Sequence, residues 1–272
     1  MARIDGEPAL EGGSAAPAVV AAGVASYQRV EHVMGMPIIL DICDDAVPLE
    51  AVERCFRWLR HVDEVFSTYK PESEISRLRR GEITLADASF AVRSVLRQCS
   101  ELRERTGGYF DAEAGGALDP SGLVKGWAIA GAGKLLQQAR VRSFSINAGG
   151  DVLTRGQAPQ GGPWRIGIQH PLDRNAVAAV VALNNGAVAT SGAYERGRHI
   201  IDPHTAETCD GLLSVTVLGP DIATADAYAT AAYAMGSSAA AWLAGLPRYS
   251  GMVINAERQM VTTPGFNSRR LS

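Results

Sequence analysis

From Thr106 onward the chain is cut by glycine pairs: Gly107-Gly108, Gly115-Gly116, Gly149-Gly150 and Gly161-Gly162. Glycine pairs adopt turn conformations that other residues resist and let backbone approach a ligand closely, so this region is built of short elements. Strands are expected around Phe144 and over residues 164–168, 177–183, 199–201, 213–218 and 252–255, with another near Met260. One helical stretch lies between Leu123 and Ala139, and an alanine-rich helical region covers 223–246. Before Thr106 the pattern differs. A nearly continuous apolar run over 36–43 predicts a strand. Pro48 then opens a helix in which Val52, Cys55, Phe56, Leu59, Val62 and Phe66 recur at helical spacing, and a second amphipathic helix runs over 88–105. Strands that neighbour one another as hairpins, instead of alternating regularly with helices, give an α+β fold with mixed or antiparallel sheets flanked by helices.

A chain of 272 residues with 46% hydrophobic content buries a substantial core without disulfides. The formal net charge of -3 and the absence of a long Lys/Arg run exclude a broad phosphate-backbone interface, so no nucleic acid partner is expected. Cys43, Cys55, Cys99 and Cys209 form neither a CxxC pair nor a zinc-spaced cluster and read as buried reduced thiols. The first 26 residues carry Asp5, Glu7 and Glu11 and then a mild Ala-rich stretch, with no basic leader segment and no cysteine before Cys43. They are expected to be a disordered extension preceding a domain over 27–272, in a cytoplasmic protein. No apolar run is long enough to predict a transmembrane segment.

Several short motifs carry candidate chemistry. Asp119 precedes Pro120 at a predicted helix start, with Lys125 within two turns. Read plainly, Asp119 caps the helix; read functionally, the helix end and the ammonium face an anion such as a phosphate. Asn147-Ala-Gly-Gly-Asp151 is either a hairpin turn or a nest of backbone N–H groups, and the turn is the simpler reading; the same holds for Thr190-Ser-Gly192. Asp226 and Thr230 are four apart in a helical stretch, which sets their oxygens on one face. Such oxygens suit a hard cation, although on this spacing alone a helix-start Asp and a Thr bonding back to a carbonyl are the simpler reading. His199 stands before Ile200-Ile-Asp-Pro203 as a structural histidine or a base.

Taken in order, these segments resemble the ApbE family of FAD:protein FMN transferases over roughly residues 30–262. The resemblance runs through Val33-Met-Gly35, Phe66-Ser-Thr-Tyr-Lys-Pro-Glu-Ser-Glu-Ile-Ser-Arg-Leu78, Thr106-Gly-Gly-Tyr-Phe-Asp111, Leu118-Asp-Pro-Ser-Gly-Leu-Val-Lys-Gly126, Ile146-Asn-Ala-Gly-Gly-Asp151, Thr190-Ser-Gly192, His199-Ile-Ile-Asp-Pro203 and Ala225-Asp-Ala-Tyr-Ala-Thr230. It implies FAD held between two lobes with Mg²⁺ on its pyrophosphate, and transfer of FMN to a Thr or Ser hydroxyl of an acceptor flavoprotein. Carried over by position, Asp226, Thr230, Gly122 and Ala229 match the metal site. Met34, Tyr69, Tyr109, Phe110, Asp111, Asp119, Lys125 and Ile201 match FAD contacts. His199 is the candidate base, with Asp202 setting its tautomer.

Three departures from the family pattern stand out. Only residues 112–118 separate Asp111 from Asp119, a shorter link than is usual, so part of the flavin pocket is open or built otherwise. Arg79 stands where Asn is common, and Ala193 where an acidic residue is common. Two alternatives remain beside transfer: a Mg²⁺-dependent FAD pyrophosphatase with water as nucleophile, and a non-catalytic FAD-binding protein.

Overall fold

The computed structural model describes residues 27–192 and 200–271. The expected N-terminal extension and His199 lie outside the described residues. The chain begins with a hairpin, β1 (Tyr27–Val33) and β2 (Met36–Ile42), followed by α1 (Leu49–Phe66), α2 (Glu74–Arg79), α3 (Phe90–Arg105) and α4 (Ser121–Gln138). Then come β3 (Phe144–Ala148), β4 (Asp151–Arg155), β5 (Trp164–His170), β6 (Asp173–Leu183), β7 (Gly186–Gly192) and β8 (Leu212–Gly219). The chain closes with α5 (Ile222–Ala234), α6 (Ala239–Ala244), β9 (Ser250–Asn255), β10 (Met260–Thr262), α7 (Pro264–Asn267) and β11 (Arg270–Leu271).

The α+β expectation holds, and the sheets are antiparallel at every described pairing. One sheet has eight strands in the order β1-β2-β3-β4-β7-β8-β9-β10, and β11-β6-β5 form a second sheet of three. Helices α1, α4 and α5 cover one face of the large sheet through Val52, Phe56, Leu59, Leu123, Ile129 and the alanines of α5. The small sheet and α7 cover the other face, where Ile166, Ile168 and Val181 of the sheet and Phe266 of α7 meet Val152, Val188, Leu218 and Met252. Strand β7 is therefore buried on both faces along its whole length, which explains its small residues, Gly-Ala-Val-Ala-Thr-Ser-Gly, and the lack of any polar alternation to mark it in the sequence.

The predicted helix over 223–246 is broken. Gly236 has φ 58, and a 3-10 turn separates α5 from α6. Asp221 caps α5 by accepting from the Thr224 N–H at 2.8 Å. After Ile222, only small side chains and Tyr228 and Tyr233 follow in α5, nearly all buried, as a helix sandwiched between α4 and the sheet requires. The expected strand over 199–201 is not a strand where it is described: Ile201 makes a lone bridge to Thr208. No helix among the described residues is long and apolar enough to cross a membrane.

Helices α4 and α5 touch at Gly126. A Cβ there would lie 2.7 Å from both Ala223 Cα and the Ile222 carbonyl oxygen, which are backbone atoms that cannot turn aside. Gly126→Ala should therefore destabilise the protein by about 1–3 kcal/mol through overpacking, although alanine is intrinsically the better helix former. Urea unfolding reads the sign directly, and a gain in stability would contradict so close a crossing.

The four cysteines are free thiols. Burial pushes Cys43 and Cys209 up to about 11, aided by Asp41 and Asp44 around the first and by Asp202 and Asp210 around the second. Burial alone dominates at Cys55 and Cys99, each raised to about 12. The thiolate is the reactive form, so alkylation of the folded protein should be slow at pH 8 and should still be accelerating at pH 10. A rate that levels off near pH 9 would contradict these environments.

Candidate functional site

The antiparallel register places several turns along one edge of the large sheet. The β1–β2 turn pairs Val33 with Met36, and the neighbouring register matches Ile38 with Ala148, which puts the β3–β4 turn beside it. Pairing of Val152 with Val188 and of Gly192 with Ser214 carries the same edge to the end of β7 and the start of β8. Met34 and Gly35 form the first turn at φ 57 and 73. A two-residue hairpin turn of this kind needs positive φ at both positions, and methionine is an uncommon occupant. Gly149 and Gly150, at φ 55 and 93, make the second turn, whose Gly150 N–H donates to Asn147 Oδ1 at 3.2 Å. The hairpin reading of this motif holds. Its consequence is to seat Asp151, fully buried, as the first residue of β4.

Lys125 points from α4 into this corner. Its Nζ lies 2.9 Å from Asp151 Oδ2 and 3.7 Å from Asp226 Oδ1, with both carboxylates buried and the lysine side chain 14% exposed. The contact with Asp151 Oδ2 is an ion pair, without the alignment of a hydrogen bond. Asp151 Oδ1 accepts the Thr190 N–H at 3.1 Å, so Asp151 is fixed by the main chain of β7. Asp226 Oδ2 accepts the Gly126 N–H at 3.0 Å. Two buried carboxylates this close to one lysine are tolerable because the ammonium lies between them.

Thr230 Oγ1 donates to the Asp226 carbonyl at 3.2 Å and stands 3.4 Å from Ser191 Oγ. The back-bonded reading of Thr230 is thus correct, whereas Asp226 is no helix-start residue, since Asp221 takes that place. Gly122 lies against Thr230: a Cβ on it would be 3.6 Å from Thr230 Oγ1 and 3.1 Å from the Phe110 ring. Ala229 is fully buried on the same turn of α5. Gly122, Lys125, Asp226, Ala229 and Thr230, nominated from the sequence, therefore come together. Among the described residues no three His, Cys, Asp or Glu side chains converge on a metal position. A cation here would depend on one carboxylate, a hydroxyl and a backbone carbonyl.

Of the nominated flavin contacts, Tyr109, Phe110 and Ile201 lie on neighbouring segments beside this corner, whereas among the described residues no contact joins Tyr69 to them. Tyr109 packs edge-on against His204, with ring centroids 4.4 Å apart, and Gly108 leaves room for the same imidazole, since a Cβ would approach it to 3.2 Å. Ile201 reaches toward Gly115. Phe110 is buried and donates its N–H to Thr106 Oγ1 at 3.0 Å. Asp111 and Asp119 are engaged structurally. Asp111 accepts from the Glu113 N–H at 2.9 Å and pairs with Arg103 at 3.1 Å. Asp119 accepts from the Ser121 N–H at 3.0 Å, supporting the start of α4, and pairs with Arg79 at 3.5 Å. Arg79 also donates to the Leu118 carbonyl, so the arginine that departs from the family pattern braces the end of the shortened link. Tyr69 projects into solvent at 91% exposure. Asp202 Oδ1 accepts the His204 backbone N–H at 2.9 Å, which shapes the 202–206 turn.

Asp151, Ser191 and His204 were not nominated from the sequence. Asp151 closes a motif whose turn reading is the simplest; Ser191 lies in Thr190-Ser-Gly192, which is not the expected turn but the end of strand β7, and nothing local marks His204 as a neighbour of Tyr109.

Residues 34–119 and 112–252 match the model of the ApbE family. The chain belongs to the ApbE family. Every nominated position from Met34 to Thr230 falls inside the matched span. The FAD:protein FMN transferase of Salmonella typhimurium is 35% identical over 133 residues, which cover 45% of this ApbE chain and 38% of that protein. That of Rhodobacter capsulatus is 39% identical over 122 residues, or 42% of this chain and 23% of the relative. The matched stretch thus spans well under half the length of these curated relatives. Among solved structures, the ApbE protein of Thermotoga maritima superposes with a TM-score of 0.81 at 20% identity, covering 90% of this chain and 99% of that one. The flavin transferase ApbE of Vibrio cholerae gives 0.79 at 22% identity, covering 89% and 98%. At such identities these two establish the shared fold.

Proposed function

We propose that this chain binds FAD with Mg²⁺, cleaves the pyrophosphate and transfers the FMN half to a Thr or Ser hydroxyl of an acceptor protein, releasing AMP. The observation that carries this reading is the Lys125 ammonium 3.7 Å from the buried Asp226 carboxylate, with the Thr230 hydroxyl one turn further along the same helix and Gly122 packed against Thr230. The names of the curated relatives, FAD:protein FMN transferase, support it. The donor set suits Mg²⁺, which typically takes one or two protein carboxylates and completes its shell with water and substrate phosphates. Asp226, Thr230 and the Gly122 carbonyl would hold the ion, with Ala229 packed beside it. When bound, Mg²⁺ supplies charge neutralisation on the pyrophosphate oxygens.

The chain's own residues supply the rest. Lys125 adds a second positive group for the charge that accumulates on the phosphoryl oxygens. Tyr109, Ile201 and Met34 border the flavin side, and Asp111 and Asp119 fix the turns that carry this border. In the transfer step the acceptor oxygen bonds to the FMN phosphorus while the bridging P–O bond breaks. AMP leaves with the bridging oxygen, and the hydroxyl proton passes to a base, for which His199 is proposed, with Asp202 as its partner.

The decisive experiment incubates the purified chain with FAD and Mg²⁺, with and without an acceptor domain, and follows AMP and the acceptor's intact mass. Transfer predicts AMP together with an acceptor heavier by one FMN residue. AMP and free FMN without that gain would replace the proposal by hydrolysis, and intact FAD would replace it by passive binding.

Asp226→Asn keeps an acceptor for the Gly126 N–H but removes the charge. It should reduce AMP release by at least about 100-fold, the upper range for losing one electrostatic contact to a metal-assisted site, with an unchanged circular dichroism spectrum. Undiminished turnover in that variant would remove Asp226 from the metal site.

A further inference from the structure

We infer that Asp151 is a positioning residue that holds the Lys125 ammonium away from Asp226, keeping the Asp226 carboxylate available to a divalent cation. The inference rests on the metal reading above and deepens it.

An ammonium and a divalent cation compete for the same kind of oxygen. Lys125 faces two buried carboxylates, yet lies 0.8 Å nearer one of them, at 2.9 Å from Asp151 against 3.7 Å from Asp226. Coulomb attraction falls with distance, and it is strong where water is excluded, so this asymmetry biases where the charge rests. Asp151 is also the better anchored partner. It opens a central strand, is fully buried, and has Oδ1 fixed by the Thr190 N–H. Its second oxygen is thereby aimed at the lysine. Asp226 is oriented by the Gly126 N–H on Oδ2, which turns Oδ1 toward Lys125.

The charge count fits the same role. Two carboxylates and one ammonium leave a single negative charge, enough to draw in a divalent cation. With the cation bound, the group carries one positive charge toward an anionic pyrophosphate. Without Asp151 the carboxylate nearest the ammonium is Asp226, and the lysine would then oppose the cation where it now accompanies it.

The test is a double-mutant cycle on metal affinity, using the full chain stripped with EDTA and Mn²⁺ titrated by electron paramagnetic resonance. Asp151→Asn retains an acceptor for the Thr190 N–H and should weaken Mn²⁺ binding by about tenfold, the lower end for residues that orient metal ligands. Lys125→Met in the Asp151→Asn background should restore most of that loss, whereas Lys125→Met alone should raise affinity by a clearly smaller factor. Non-additivity of this sign is the signature of a clamp, because independent charges would give Lys125→Met the same effect in both backgrounds. Unchanged affinity in Asp151→Asn, or additive effects, would overturn the inference. Should Asp151→Asn fail to melt cooperatively, Lys125→Met alone still decides: a large gain in Mn²⁺ affinity means the ammonium was competing at Asp226 despite Asp151, which contradicts the clamp. Failure of the unaltered chain to bind Mn²⁺ would overturn the metal reading itself, whereas unchanged binding in Asp151→Asn would leave that reading standing.

Discussion

Helices α4 and α5 meet at a point where one of them has no side chain. That single close approach, at Gly126, brings the Asp226 carboxylate within reach of a backbone amide and sets Lys125, the preceding residue, at the mouth of the same corner. A bulkier residue at the crossing would push the helices apart, and the buried charges would lose their partners together. Charges away from water persist only when such geometry is maintained. The Ala-rich composition of α5 serves the same end, since short side chains let the helix sit between its neighbour and the sheet.

The antiparallel sheet contributes differently. Because adjacent strands reverse direction, alternate connections gather along one edge, and the Met34-Gly35 turn, the Gly149-Gly150 turn and the end of β7 become neighbours. The small sheet of β5, β6 and β11 packs on the face away from the helices and completes the burial of β7. Stability on that side is thus secured by elements that contribute none of the nominated site residues. The shortened link before Asp119 is held by Arg79, whose guanidinium reaches both the Leu118 carbonyl and the Asp119 carboxylate.

Much of this was legible in the sequence where one physical pattern dominated. Helix α1 was marked by its apolar spacing, β2 by its apolar run, and α4 by the Asp-Pro start. Strands β4 and β7 were not, because residues buried on both faces show no alternation and the small residues of β7 carry little strand propensity. Strand β1 was missed because most of its residues are polar and partly exposed at the sheet edge. The metal and lysine positions were recognised through ordered motifs, since neither the Asp226–Thr230 spacing nor Lys125 alone distinguishes a site from ordinary helix chemistry. Asp151 and His204 acquire meaning only through neighbours distant in sequence, and local pattern carries no record of such contacts.

Those distances bear on how the molecule comes into being during synthesis. The Gly126 amide and the Asp226 carboxylate that receives it are 100 residues apart, and Asp151 and Thr190 are separated by 39. While a ribosome is still adding the residues that follow β4, Lys125 and Asp151 already exist in the nascent polypeptide, but α5 does not. The corner can close only after Thr230 has left the exit tunnel. A growing chain released before that point therefore carries the lysine and one carboxylate without the helix that completes them, and the capacity to assemble this corner arrives only with α5.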